Sequence, residues 1–127
     1  MKKLLSAFVN VLPMKGIDMI QPTTSFKGNL QLLPPVDGLA RIDIIDASGI
    51  VVASIENQPG KQGSLVVYRY LAETFEIIDA DAAAHGLAVF AEHTADAKNR
   101  PGAHPNIDHL LAIVGGSDPL HIRLFEA

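Results

Sequence analysis

The 127-residue chain has no cysteine and no tryptophan, and its aromatic content is five phenylalanines and two tyrosines. Without cysteine there can be no disulfide, no thiolate nucleophile, no Cys-type zinc site and no cysteine-held iron–sulfur cluster. Charge is scarce, with 19% Asp, Glu, Lys and Arg, and the basic residues form no cluster beyond Lys2–Lys3. Phosphate neutralisation supplies most non-specific nucleic-acid affinity, so no nucleic-acid partner is expected. Long hydrophobic runs are missing too. The apolar stretch of "MKKLLSAFVNVLP" ends at Leu12, short of the ~20 residues that span a bilayer. "PMKGIDMIQP" follows it without the small-residue pattern of a cleaved leader. Residues 1–22 therefore read as an N-terminal extension or packing segment, with Met14 and Met19 as alternative starts, and no membrane span is expected.

What is present suits one folded domain, residues 23–127. An apolar fraction of 48% can bury a core, and the length lies in the usual single-domain range. The net charge of −4 is uneven. Residues 1–35 carry four lysines against Asp18, a balance of +3; residues 36–127 carry six basic and thirteen acidic groups, a balance of −7. The folded body is acidic.

In "LARIDIIDASGIVVASIE" (39–56) two alternating β-branched runs flank "DASG", the pattern of a β-hairpin. Asp46, Ser48 and Gly49 suit its turn. Pairing Ile44 with Val51, Ile42 with Ala53 and Ala40 with Ile55 makes one face apolar, with Arg41 opposite Ser54 and Asp43 opposite Val52. "LHIRLFE" (120–126) alternates again and is placed beside the hairpin. Helices are expected at 25–33 with Ser25 as cap, at 64–75 with Ser64 as cap, at 79–98 as one piece, and at 104–114. The last is capped by His104 or Asn106, carries Asp108 in its first turn and has Gly115 as C′ residue. The fold class is α+β: a small antiparallel sheet, hairpin 39–56 plus strand 120–126, packed by three to four helices.

"HTADAKNRPGAHPNIDH" (93–109) holds three of the five histidines. His93 and Asp96 have the i, i+3 spacing that brings ligands together, and His104, Asp108 or His109 can add to them across the turn. That set would take a divalent metal ion in mixed N/O coordination, or work as an acid/base pair. Against both stands a helix junction whose polar groups serve as caps, since no strict ligand spacing is present. "PGKQGS" follows a strand and opens a helix, so Gly60, Lys61, Gly63 and Ser64 offer an anion cradle or a flexible connector. Tyr68 and Tyr70 lie two apart on a helix, so one is expected to reach solvent or a partner. With Val66 it suggests a homodimer.

The stretches "LARIDIIDASGIVVASIENQPGKQGSLVVYRYLA" and "GLAVFAEHTADAKNRPGAHPNIDHLL" resemble a family of small uncharacterised bacterial proteins, a domain of unknown function, over residues 25 to 114. The resemblance implies a bacterial source, a cytoplasmic location and a domain beginning near Ser25–Phe26. The expectation for function is a non-enzymatic binding or protein-interaction module. The alternatives are a metal-dependent or acid/base enzyme at His93–His109 and an anion-binding regulator at Gly60–Ser64.

Overall fold

A computed structural model describes residues 19–127; the sequence reading of residues 1–18 lies outside them. In chain order come α1 (Phe26–Leu30), β1 (Leu39–Ile45), β2 (Val51–Glu56), α2 (Gln62–Thr74), α3 (Ala80–Phe90), α4 (Glu92–Asn99), α5 (Pro105–Val114) and β3 (His121–Glu126). The sheet is antiparallel with order β2-β1-β3, so the C-terminal strand does join the hairpin. Among the described residues no helix is long and apolar enough to cross a membrane.

The hairpin turn forms as its chemistry requires. The Asp46 carboxylate accepts the amides of Ser48 and Ile50 at 2.8 and 3.0 Å, and Gly49 takes φ 87°. The expected register is corrected by two residues: Ile42 faces Ile55, Asp43 faces Ser54, Ile44 faces Ala53 and Arg41 faces Glu56. A bulge between Ile44 and Ile45 absorbs one extra residue of β2, bringing Ile45 opposite Val51. It also sets the Ser54 hydroxyl to donate to the nearly buried Asp43 carboxylate at 2.7 Å. Hydrogen bonds from Ser54 and Arg41 hold that carboxyl below its ordinary range.

Three layers result. Helix α2 touches all three strands on one side and α3 on the other, and α3 packs against α5. Being covered on two sides, α2 buries both tyrosines, which corrects the expectation that Tyr68 or Tyr70 is exposed. Their hydroxyls are satisfied in different layers. Tyr68 donates to the Asn106 carbonyl at 2.5 Å, and burial pushes its phenol pKa up. Tyr70 accepts the Ile20 amide at 2.9 Å and bonds His85 Nε2 at 2.7 Å. Burial moves their two pKa values apart, the phenol up and the imidazole down. Exposed apolar side chains lie instead at Ile50, Val51 and Val52 on the hairpin.

The helix ends also differ from expectation. Lys61, not Ser64, occupies the N-cap position of α2, and it provides no side-chain cap. On α5 the N-cap position does fall to His104, one of the two expected candidates, but its side chain makes no capping bond, while Asp108 reaches back to accept the Gly102 amide at 3.0 Å. At the far end of α5 Ser117 N donates to Ala112 O and Gly116 N to Ile113 O, and Gly116 has φ 115°. These are the two bonds of a Schellman motif, so Gly116 rather than Gly115 is the C′ residue.

The expected single helix over 79–98 is two helices, broken at Ala91 (φ 54°, ψ −120°). The carbonyls this frees at the end of α3 find other donors. Leu87 O accepts the Thr94 hydroxyl at 2.6 Å, Ala88 O the Ala91 amide at 3.2 Å, and Val89 O the side-chain amide of buried Asn29 at 2.9 Å. Those orphan carbonyls would otherwise oppose the break.

Candidate functional site

The break at Ala91 turns α4 out of line with α3 and gives the histidine run its geometry. Its dihedrals match the first central position of a type II′ turn, where glycine is the usual occupant. An alanine held there stores roughly 1–3 kcal/mol of strain. Ala91→Gly is accordingly expected to raise stability by about 1 kcal/mol, seen as a midpoint higher by about 4 °C in a thermal melt; an unchanged midpoint would mean the turn holds no strain.

Beyond the break, α4 carries His93 and Asp96 toward the opening of α5. His104 Nε2 lies 2.6 Å from Asp96 Oδ2, and the His93 and His104 ring centroids are 5.8 Å apart. The same carboxylate is gripped from its other side by Arg100, Nε to Oδ1 at 2.9 Å and Nη2 to Oδ2 at 2.5 Å. The hydrogen bonds from Arg100, then from His104, hold Asp96 far below the ordinary carboxylate range. A carboxylate ionised throughout the neutral range only accepts, so His104 turns an Nε2–H toward it; Nδ1 is then a lone pair on a neutral ring and a second donor on an imidazolium, the form that an acidic group at Nδ1 would favour.

His93 and His104 line a pocket of about 290 Å³. Its opposite wall is the start of α2, through Gly60, Gly63 and Ser64. The two stretches nominated separately from sequence therefore meet in one cavity. Phe26 and Phe90 line it too, stacked at a centroid distance of 5.3 Å and 22° between planes, and His93 meets Phe26 in a T-shaped contact at a centroid distance of 5.0 Å. Phe26 is fixed from two directions. Its amide donates to Glu92 Oε1 at 2.8 Å, and its ring tip rests on Gly63, where a Cβ would come within 3.1 Å of Cε2. Glycine at 63 is what lets the ring approach. Hydrogen bonds from the Glu92 and Phe26 amides hold the Glu92 carboxyl below its usual range.

The remaining nominated residues are placed elsewhere. Lys61 is exposed and does not line the pocket, Asp108 is occupied by the Gly102 amide, and His109 is a half-buried residue on α5 outside the pocket wall. Among the described residues no three of His, Asp and Glu come together where an ion could sit. The Ser64 hydroxyl lines the same cavity as the imidazoles but is not hydrogen-bonded to either of them. The arrangement can orient one imidazole against a fixed carboxylate. It can also present ring nitrogens and the α2 amides to an acidic group, because the first amides of a helix lack intrahelical partners.

Sequence reasoning missed both phenylalanines, which sit at the two ends of a 64-residue separation with no local pattern joining them. The available signal was Gly63 inside a helical run, where an isolated glycine often marks a close approach.

No curated protein and no solved structure matches the chain. A family model described as "uncharacterized protein conserved in bacteria (DUF2322)" matches residues 26–124, which takes in every residue of the pocket, and the chain belongs to that family.

Proposed function

We propose that the protein is a non-enzymatic binding module whose ligand is a small molecule with an acidic group, held in the pocket between α2, α4 and the start of α5. One observation carries this reading: two histidines, Gly63 and Ser64 at the start of α2 and two phenylalanines line a single cavity, and no Asp or Glu among the described residues lines it. In a body of net negative charge, a wall without carboxylates favours an anion where most of the surface repels one. The apolar rings exclude water, which strengthens the polar contacts.

Acetate, benzoate and inorganic phosphate are the probes, with acetamide and benzamide as neutral counterparts. At least one acid is expected to raise the melting midpoint while its amide leaves it unchanged. His104→Ala should weaken the binding by about 10- to 100-fold, corresponding to the ~1.5–3 kcal/mol of a charged hydrogen bond. Acids and amides behaving alike would refute the reading. The Asp96–His104 contact favours a second reading, acid/base chemistry by His104. Arg100 already takes up much of the charge that would make Asp96 an effective partner, and this argues for binding over catalysis. We also infer that the module works as a homodimer in the bacterial cytoplasm; sedimentation and cell fractionation test those two points directly.

A further inference from the structure

The pocket offers more than a place for an acidic group: its rings bear on the rest of the ligand. Phe26 and Phe90 are nearly parallel and His93 makes a T-shaped contact with Phe26, so beside Ala103, Pro105 and Ile107 the apolar lining includes aromatic surface fixed in place. Phe90 is almost wholly buried and cannot swing out, and Phe26 is half-buried and pinned by Glu92 and Gly63. Against such a surface a flat ring gains roughly 0.5–1.5 kcal/mol over a saturated one of similar area, through offset or edge contacts with the ring quadrupoles. A cavity of about 150 Å³ already accommodates benzene. The roughly twofold larger, partly open space here has room for a ring with an acidic substituent.

Resting on the reading of the pocket as an acid-binding site, we infer that its ligand is an aromatic acid. The ring lies against Phe26, which Phe90 backs from the core, and the acidic group sits beside the imidazoles of His93 and His104. The distance between these imidazoles, 5.8 Å from centroid to centroid, lets one acidic group approach both. Neither contact depends on Asp96 leaving its partners, because Arg100 and the Nε2 edge of His104 keep that carboxylate occupied.

The test is a calorimetric titration of the full chain with benzoate, cyclohexanecarboxylate and benzamide. Benzoate is expected to bind about 2- to 10-fold more tightly than cyclohexanecarboxylate, the fold-change equivalent of the ring term. Benzamide should bind at least tenfold more weakly. Phe26→Leu should abolish the preference for benzoate while keeping affinity for the saturated acid; if that variant does not fold, the wild-type series decides alone. Equal affinity for the two ring acids would overturn this inference while leaving the acid-binding reading intact. Failure of every acid to bind would remove both.

Discussion

Asn29→Asp is expected to destabilise the protein by roughly 4 kcal/mol at pH 7, lowering the thermal midpoint by about 15 °C. Asn29 is fully buried and all of its hydrogen-bonding capacity is used. Its amide nitrogen donates to Thr23 O at 3.1 Å and Val89 O at 2.9 Å, and its oxygen accepts the Thr23 amide at 2.7 Å and the Thr23 hydroxyl at 2.8 Å. Aspartate keeps the volume but points a second oxygen at two carbonyls. An unpaired carboxylate would then lie in a site with no water to compensate it. The two carbonyls and the burial raise the folded-state pKa of the new carboxyl above its unfolded value. The folded state therefore holds the proton more tightly, and stability falls as pH rises through the neutral range and returns as pH is lowered. Urea melts at pH 7 and pH 4.5 should show the gap to wild type narrowing at the lower pH. A gap of the same size at both would mean that lost hydrogen bonds, not charge burial, dominate.

Asn29 also explains why so distant a residue bears on the pocket. The carbonyl it caps belongs to Val89, one residue before the Phe90 of the pocket floor, and its own helix begins at Phe26. One side chain joins the end of α3 to the segment that carries the first aromatic wall. The same hydrogen bonds hold residues 19–24 against the body, helped by Ile20 N on the Tyr70 hydroxyl.

How much of this was legible in the sequence follows from the kind of pattern each feature leaves. Strands β1, β2 and β3 have period-2 alternation and turn residues at their ends, so the α+β class and the placement of the C-terminal strand could be read directly. The register could not. Requiring one apolar face separates odd slips from even ones, and the true pairing differs from the expected one by two residues, which leaves every side chain on the same face. The break at Ala91 was hidden because no glycine or proline marks it; an alanine in a left-handed conformation looks like any other in an alanine-rich helix. What permits the break is tertiary: Thr94 and Asn29 supply the donors that its carbonyls require.

Reading α2 as a helix lying on one surface made two buried tyrosines look incompatible, whereas a helix between two layers has room for both. The site was half legible for a related reason. Residue chemistry marked the histidine run and the glycine loop, and the chain reversal that brings them face to face is a property of the packing alone. Lys61 had the right charge for an anion cradle. It is exposed and lies outside the cavity wall.

Gly86→Val is expected to lower stability by about 3 kcal/mol, the upper end of what overpacking a core brings. Gly86 lies mid-way along α3, where that helix is pressed between α2 and α5. A Cβ built on it would stand 2.8 Å from Leu71 Cδ1 and 2.9 Å from Leu110 Cδ1, and both leucines are fully buried. Neither methyl can retreat without displacing its own neighbours, because interiors are packed to crystal-like density. Replacing glycine in a helix would by itself add stability, about 1 kcal/mol for alanine and less for valine. The two effects have opposite signs, and the size of the side chain decides between them. Gly86→Ala should thus lose only about 1 kcal/mol, whereas valine adds two methyls where there is no space for one. Pairing Gly86→Val with Leu71→Ala tests the cause: if steric crowding is responsible, the double variant should be more stable than the sum of the single losses predicts, by about 1–2 kcal/mol. Strict additivity in denaturant melts would instead place the loss in the α3 backbone rather than in the contact between the three helices.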